Sequence, residues 1–424
     1  MTTETANAVR YRILVAITLG YGLTYTCRLA IGVIKKPLID GGVFTAGEFG
    51  TIGSALFLAY AIGKFFNGFI ADHINVRLFI VAGFALSGLC CLGMGATTGV
   101  AMATLLWGLN GWFQSAGAPG SVIALTAAFP DAQRGRAYGI WSTSHSIGEG
   151  LTFLAVTAAV TWWGWRWGYW SAAVLSGVAA LLALALIPNL HHPRRTGEVG
   201  SRPIDVLKAQ AAVLAIPSIW LLGLASALIY VTRYAINSWG ILYLQEAHGL
   251  SLTSAGTLIL ISNLAGIAGA VAYGYCSDLV FKGRRPPANL IFAMVEIVGM
   301  LVIFYGPGTT PVLVFGMVLF GLGMTGLVTA TGLFATDLVP KRVVGAALGV
   351  IGTFSYLGSA IQEQVSGALI DRGTTTVAGA HHYDFSSVVA FWIGASVASM
   401  VLALLLWRQG QTYATVDEPV TVAV

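Results

Sequence analysis

Apolar runs of about 20 residues, the length a helix needs to cross the hydrocarbon core of a bilayer, recur along the chain with short polar breaks between them. They fall near 13–36, 46–71, 78–98, 101–128, 138–161, 168–188, 212–243, 252–276, 289–306, 311–337, 344–370 and 386–407. The pattern predicts an all-α membrane protein of twelve transmembrane helices. Its longest polar interruption, roughly 189–210, reads LHHPRRTGEVGSRPIDVLKAQ from Leu190 onward. That stretch divides the chain into an N-terminal six-helix half (1–188), a linker (189–210) and a C-terminal six-helix half (211–424).

Composition agrees with this reading. Hydrophobic residues make up 56% of the chain and charged residues only 9%, with mean hydropathy +0.79. A soluble domain carries roughly a quarter charged residues, so most of this surface must face lipid. The opening MTTETANAV lacks the basic start and short apolar run of a cleaved leader, and the first helix is expected to stay in the membrane. Cys27, Cys90, Cys91 and Cys276 fall within or at the ends of apolar runs without metal-ligand spacing, and read as small buried hydrophobes. No P-loop, nucleophile elbow or metal triad is present, so neither enzymatic chemistry, a cofactor nor a metal is expected.

The net charge of +5 reports topology rather than an acidic partner, and no nucleic-acid binding is expected. Of 22 Lys and Arg residues, fifteen lie on one alternating set of segments that includes both ends and the linker. Four lie on the opposite set: Lys35, Lys36, Arg166 and Arg372. Positive charge is retained on the cytoplasmic side, which predicts a multi-pass protein of a bacterial inner (cytoplasmic) membrane with both termini cytoplasmic. Three basic residues remain within spans: Arg28, Lys64 and Arg233.

The two halves repeat one another. Tyr25-Thr-Cys-Arg28-Leu-Ala30-Ile31 returns as Tyr230-Val-Thr-Arg233-Tyr-Ala235-Ile236, an offset of 205. Gly68-Phe-Ile-Ala-Asp72 returns as Gly274-Tyr-Cys-Ser-Asp278, an offset of 206. Gly135, Gly139, Thr143 and Gly148 match Gly345, Gly349, Thr353 and Gly358, an offset of 210. Three matches in order at nearly one spacing argue for a duplicated six-helix unit. Parallel repeats of this kind place a substrate site near mid-membrane between the halves, with access alternating as they rock. Asp72 with Arg77, and Asp278 with Lys282, Arg284 and Arg285, follow the second span of each half. They read either as a charge latch closing the cytoplasmic side or as topology signals at a turn; their occurrence at both equivalent loops favours the latch.

A charge at mid-membrane is expensive and marks a partner, a pathway or a ligand. The repeat makes Arg28 and Arg233 counterparts facing one cavity, where their planar forks suit a tetrahedral oxyanion or a carboxylate. Helical spacing puts Tyr21 and Tyr25 beside Arg28, and Tyr230 and Asn237 beside Arg233. The competing reading pairs each arginine with a carboxylate such as Glu149 or Glu363. Lys64 either adds positive potential or pairs with an acid. His145, with an ordinary pKa near physiological pH, either joins the site or bonds a backbone carbonyl in the core. Glu149, one turn beyond His145, and Glu363 in span 11 are candidates to line the cavity. They would neutralise Lys64 or His145, titrate as a proton site, or meet a cationic group on a zwitterionic substrate. No role is assigned to Glu296.

Several motifs resemble the organophosphate:phosphate antiporter family of the major facilitator superfamily, which includes glycerol-3-phosphate and hexose-phosphate transporters. They are the Arg28 helix, GKFFNGFIADHINVR, GWFQSAGAP, RGRAYGIWSTSHSIGEG, RYAINSW, GYCSDLVFKGRR and GTFSYLGSA. The resemblance covers most of the chain. It implies the major facilitator fold, a grip on phosphate by Arg28 and Arg233 with His145 helping and Lys64 close by, and entry of an organic phosphate or phosphonate as inorganic phosphate leaves. A monomer is expected. Departures from the family pattern are Leu29 where Lys is common, Asn263 where Glu is common, and the runs Gly117-Ala118-Pro119-Gly120 and Gly148-Glu149-Gly150. They leave the phosphate grip intact and leave open which organic group the phosphate carries. Two rival functions stand beside this one: a membrane sensor of a sugar phosphate acting with a kinase, and a proton-coupled symporter of sugar acids.

Overall fold

The computed structural model describes residues 3–189, 203–339, 343–377 and 380–407. In lipid a single segment can satisfy its own backbone only as a helix, and the apolar runs do so. Among the described residues nine helices are by themselves long and apolar enough to cross a membrane. They are Asn7–Asp40, Val76–Ala96, Trp165–Leu186, Pro217–His248, Leu252–Val280, Arg285–Tyr305, Thr310–Leu338, Val344–Gly373 and Ser386–Leu405, which are spans 1, 3 and 6 to 12. Span 2 is Ala46–His73, and span 4 is the broken pair Val100–Gln114 and Gly117–Ala128. Span 5 runs through Asp131–Leu151, Thr152–Val156 and Thr157–Trp163.

Local chemistry sets the ends and interruptions. Span 2 starts with a capping box: the Thr45 hydroxyl accepts from the Glu48 backbone, and the Glu48 carboxylate accepts from the Thr45 backbone. The ring of Pro119 disfavours a helical carbonyl at Ser115, and span 4 breaks there. Span 7 stops at Gly249, whose left-handed φ of 64° suits a residue without a Cβ. Wide π-type turns interrupt spans 5, 7 and 8 at Thr152–Val156, Ala235–Trp239 and Cys276–Val280. Such turns are often found at functional positions.

Three features differ from the sequence reading. Span 1 continues to Asp40, four residues past the expected end, so Lys35 and Lys36, counted with the outer segments, lie inside the helix. Thr374–Val377 and Ala380–Tyr383 form a small antiparallel hairpin between spans 11 and 12. Of the expected linker, 190–202 lies outside the described residues, and a short helix, Pro203–Leu214, follows.

The internal repeat reappears in the packing. Span 2 packs on 4, 3 on 6 and 1 on 5 and 6; their counterparts 8 on 10, 9 on 12 and 7 on 11 and 12 do the same. The halves meet through span 2 against 11, span 5 against 8 and span 1 against 7. Even crossing parity puts Thr3, Leu186, Pro217 and Leu405 on one side, the terminal side. The close approaches of backbone to backbone between the halves lie toward the other, far side. A Cβ added at Gly32 would lie 2.7 Å from the carbonyl oxygen of Asn237, and one at Gly50 would lie 2.7 Å from that of Glu363. Gly256, the repeat counterpart of Gly50, packs in the same way on Phe153 and Thr157. At the terminal-side ends of spans 5, 8 and 11, a Cβ at Gly135, Gly139, Gly274 or Gly345 would meet nothing within 4 Å. The halves are therefore closed on the far side and splayed on the terminal side.

This packing makes one prediction. Gly50→Val meets backbone, which cannot give way as a flexible side chain would, so the far side is expected to stay open and transport to fall at least about tenfold. Labelling of a cysteine placed at Ser54 by a membrane-impermeant thiol reagent checks it. Unchanged labelling would show that this approach does not seal the far side.

Candidate functional site

At mid-span, Arg28 is buried among aromatic rings. Its Cζ lies 4.5 Å from the Tyr25 centroid, 4.3 Å from Tyr60 and 5.8 Å from Tyr356. Its Nη1 donates to the hydroxyls of Tyr25 at 3.4 Å and Tyr356 at 3.3 Å. Its Nε donates to Gln114 Oε1 at 3.1 Å. Gln114 ends the first segment of the broken span 4. It donates to Asn110 Oδ1 at 3.1 Å, and Asn110 in turn donates to the Cys27 carbonyl at 2.8 Å and accepts from Ser87 at 2.6 Å. A buried polar chain across spans 1, 3 and 4 thus fixes the guanidinium's orientation.

Tyr356, from span 11 of the other half, sits between two cations. Lys64 Nζ is 5.6 Å from its ring centroid, and Gly352 one turn away leaves room for the ammonium. Among the described residues no carboxylate is within ion-pair distance of Arg28 or Lys64. His145 is half-buried, 5.2 Å from Tyr21 and 5.7 Å from both Tyr25 and Trp141 by ring centroids, with Nδ1 3.2 Å from the Ser142 carbonyl. It combines both sequence readings, a carbonyl contact and a place beside the Arg28 tyrosines.

Arg233 differs from its repeat counterpart. It forms an ion pair with Glu149 of the opposite half, and its Cζ stands 5.5 Å from the Tyr230 centroid. Asn237 lies one turn beyond, accepting from Asn263 of span 8 at 3.5 Å.

Toward the far side lies a second charged cluster that the sequence reading did not find. Lys35, fully buried, donates to Glu363 Oε2 at 3.1 Å and Ser238 Oγ at 2.7 Å, and sits 3.3 Å from the Trp239 ring centroid. Trp239 Nε1 donates to the same Glu363 oxygen at 3.0 Å. Ser54 Oγ donates to the Ala360 carbonyl at 2.6 Å, one turn before Glu363. Next to this, Lys36 pairs with Glu246 and, at 3.0 Å, with Asp40. Of the alternatives left open for the two carboxylates, pairing with an arginine is what Glu149 does, with Arg233, whereas Glu363 takes Lys35 and neither neutralises Lys64 or His145. The physical reason is reach: span 1 stays helical through Asp40, so Lys35 lies a turn inside its end and against span 11. Glu296 is buried in span 9 and accepts from Ser396 at 2.8 Å.

The candidate latch residues pair within their own halves in this state. Asp278 pairs with Arg285 at 2.7 Å, and Arg285 also with Asp337 at 2.8 Å, all within the C-terminal half. Of the three basic residues grouped with Asp278, Arg285 is the one that pairs, and Arg284 occupies the turn before span 9. Arg77 donates to Asn189 at 3.5 Å and to the Leu184 carbonyl at the end of span 6. The side chain of Asp72 lies outside the described residues. A latch between halves would have to form in the state where the terminal side closes.

Sequence reasoning missed Gln114, Tyr60, Tyr356, Lys35 and Trp239. Gln114 and Tyr356 lie in motifs already picked out, GWFQSAGAP and GTFSYLGSA, and Tyr60 sits one turn before Lys64; Lys35 gave no signal because it reads as a loop residue.

Comparison with known proteins bears on this arrangement. The sequence profile of the Major Facilitator Superfamily matches residues 16–362. The membrane sensor protein UhpC of Salmonella typhimurium is 32% identical over 83% of each chain. A probable hexose phosphate transport protein of Chlamydia trachomatis is 31% identical, again over 83% of each. The chain belongs to the organophosphate:phosphate antiporter family of the major facilitator superfamily. Its fold matches the crystal structure of the nucleoside transporter NupG with a TM-score of 0.76 at 15% identity, covering 94% of this chain and 99% of that one. Membership in this family, whose fold spans the membrane, places the protein among transporters rather than enzymes.

Proposed function

We propose that this protein imports a phosphate- or phosphonate-bearing organic anion across a bacterial inner membrane, in exchange for inorganic phosphate, by alternating access. The observation that carries the reading is the pair of cations, Arg28 and Lys64, held at mid-span among tyrosine hydroxyls with no carboxylate partner among the described residues. Buried like charges of this kind persist where a ligand neutralises them. With Arg233 and Glu149, the site carries two net positive charges, the complement of a phosphate monoester dianion. The positive-inside bias makes the terminal side cytoplasmic, so the splayed arrangement is inward-open and its closed far side faces outward. The named partners are then the organic anion, inorganic phosphate and the lipid bilayer. The reading requires no metal or cofactor and is met by a monomer. The sensor reading keeps one specific support, the similarity to UhpC; it shares the ligand and differs in lacking turnover.

Binding tests the site itself. Labelled inorganic phosphate bound to the purified protein is expected to be displaced by phosphate esters at least about tenfold more effectively than by sugar acids such as glucuronate, since the arginine fork and adjoining ammonium favour a dianion. Equal displacement by glucuronate would instead support a carboxylate transporter.

A further inference from the structure

The two repeat-related arginines do not stand in equivalent surroundings. Among the described residues Arg28 bonds to tyrosine hydroxyls and a glutamine and to no carboxylate, whereas Arg233 is held by the carboxylate of Glu149. The duplication does not supply this carboxylate, because the residue at the repeat position of Glu149 is Ser359, which bonds its own helix. The pair also crosses between the halves, from span 5 to span 7. It sits where both spans change their winding: Glu149 three residues before the wide turn at Thr152–Val156, and Arg233 two residues before the one at Ala235–Trp239.

We propose that Glu149 is a tethered stand-in for the transported anion: its carboxylate occupies Arg233 in the unloaded carrier, must leave when substrate arrives, and allows the empty protein to change sides. This deepens the transport reading and rests on it. Reorientation of a transporter seals and dries the central cavity, and the penalty for drying a cluster of like charges rises steeply with its net charge. Without Glu149 the empty cavity would hold Arg28, Lys64 and Arg233 uncompensated; with it, the charge drops from three to two. The empty carrier is therefore less strongly trapped, and net uptake proceeds alongside exchange, though more slowly because two cations stay unpaired. The same carboxylate competes with substrate for Arg233, so it weakens affinity. Both consequences follow from one ion pair, and they move in opposite directions when it is removed.

Reconstituted protein in liposomes separates the inference from the reading beneath it. Labelled phosphate is offered outside vesicles that contain either unlabelled phosphate, which measures exchange, or a phosphate-free buffer, which measures net uptake. Wild-type protein is expected to show both, with net uptake slower. Glu149→Gln is expected to lower the half-saturating phosphate concentration several-fold and to reduce the ratio of net uptake to exchange at least tenfold. Glu149→Asp, which keeps the carboxylate, is expected to recover much of that ratio. A carboxylate with only a structural role would reduce exchange and net uptake together and would raise the half-saturating concentration. If the wild-type protein exchanges phosphate but shows no net uptake, the inference is wrong while the transport reading stands. The same holds if Glu149→Gln leaves both the ratio and the half-saturating concentration unchanged. If no exchange is found, the transport reading itself fails. Should Glu149→Gln fail to insert, the wild-type comparison decides alone.

Discussion

Arg28→Lys is expected to reduce transport at least about a hundredfold while the protein still inserts into the membrane. Lysine keeps the charge and loses the fork. In the structure that fork is used from three directions: Nε on Gln114, and Nη1 on the hydroxyls of Tyr25 and Tyr356. A hydrogen bond to a charged group contributes about 1.5–3 kcal/mol. Losing two of them, together with stacking on Tyr25 and Tyr60, amounts to two or more decades. Tyr356 belongs to the opposite half, so the substitution also removes a hydrogen bond between the halves. Arg233→Lys is expected to fall less far, because a lysine there can still pair with Glu149. Uptake and binding in proteoliposomes measure both. Near wild-type affinity and turnover for Arg28→Lys would remove the central anion site.

Breaking the buried pair between Lys35 and Glu363 is expected to have the second largest effect. This pair lies on the far side of the anion site and joins spans 1, 7 and 11, with Trp239 and Ser238 completing the ligation of its charges. In this state Lys35 is fully buried and Glu363 is 1% exposed. Removing one partner of a buried pair costs about 3–5 kcal/mol because it strands the other charge. When the halves separate on the far side, the stranded charge reaches water. Glu363→Gln or Lys35→Met should therefore shift the population by about two decades toward the outward-open state. The double substitution, which strands nothing, should recover part of the shift. Distances between spin labels on the far-side ends of spans 2 and 11 report the populations. If single and double variants match the wild type, the pair contributes nothing to far-side closure.

The sequence revealed the architecture well because lipid leaves few alternatives. Twelve apolar runs have to be helices, and the repeat had to pair spans 1 with 7 and 5 with 11. Arg28, Lys64, Arg233, Tyr25, Tyr230 and His145 were legible for the same reason, since polar groups stand out against an apolar background at mid-span. What stayed hidden is the assignment of partners. Glu149 and Glu363 share the right helices, but which cation each takes depends on where helices cross and how far they extend. Lys35 looked like a loop residue because an apolar run ending in Lys-Lys-Pro reads as a helix end; the helix in fact continues through Pro37 to Asp40. Gln114 lies just before the break that Pro119 imposes on span 4, and its place beside Arg28 depends on how spans 1 and 4 pack. Asp278 likewise chose Arg285 over Arg284, because the turn at Lys282 and Gly283, both with positive φ, orients one arginine toward spans 8 and 10.

The most direct test of the whole account is counterflow. Proteoliposomes loaded with inorganic phosphate are offered labelled phosphate esters, phosphonates and sugar acids outside. At least one phosphate- or phosphonate-bearing compound is expected to accumulate, to release internal phosphate as it enters, and to lose both effects in Arg28→Lys. Accumulation of a sugar acid driven by a pH gradient and indifferent to internal phosphate, with no response to any phosphate or phosphonate, would contradict it.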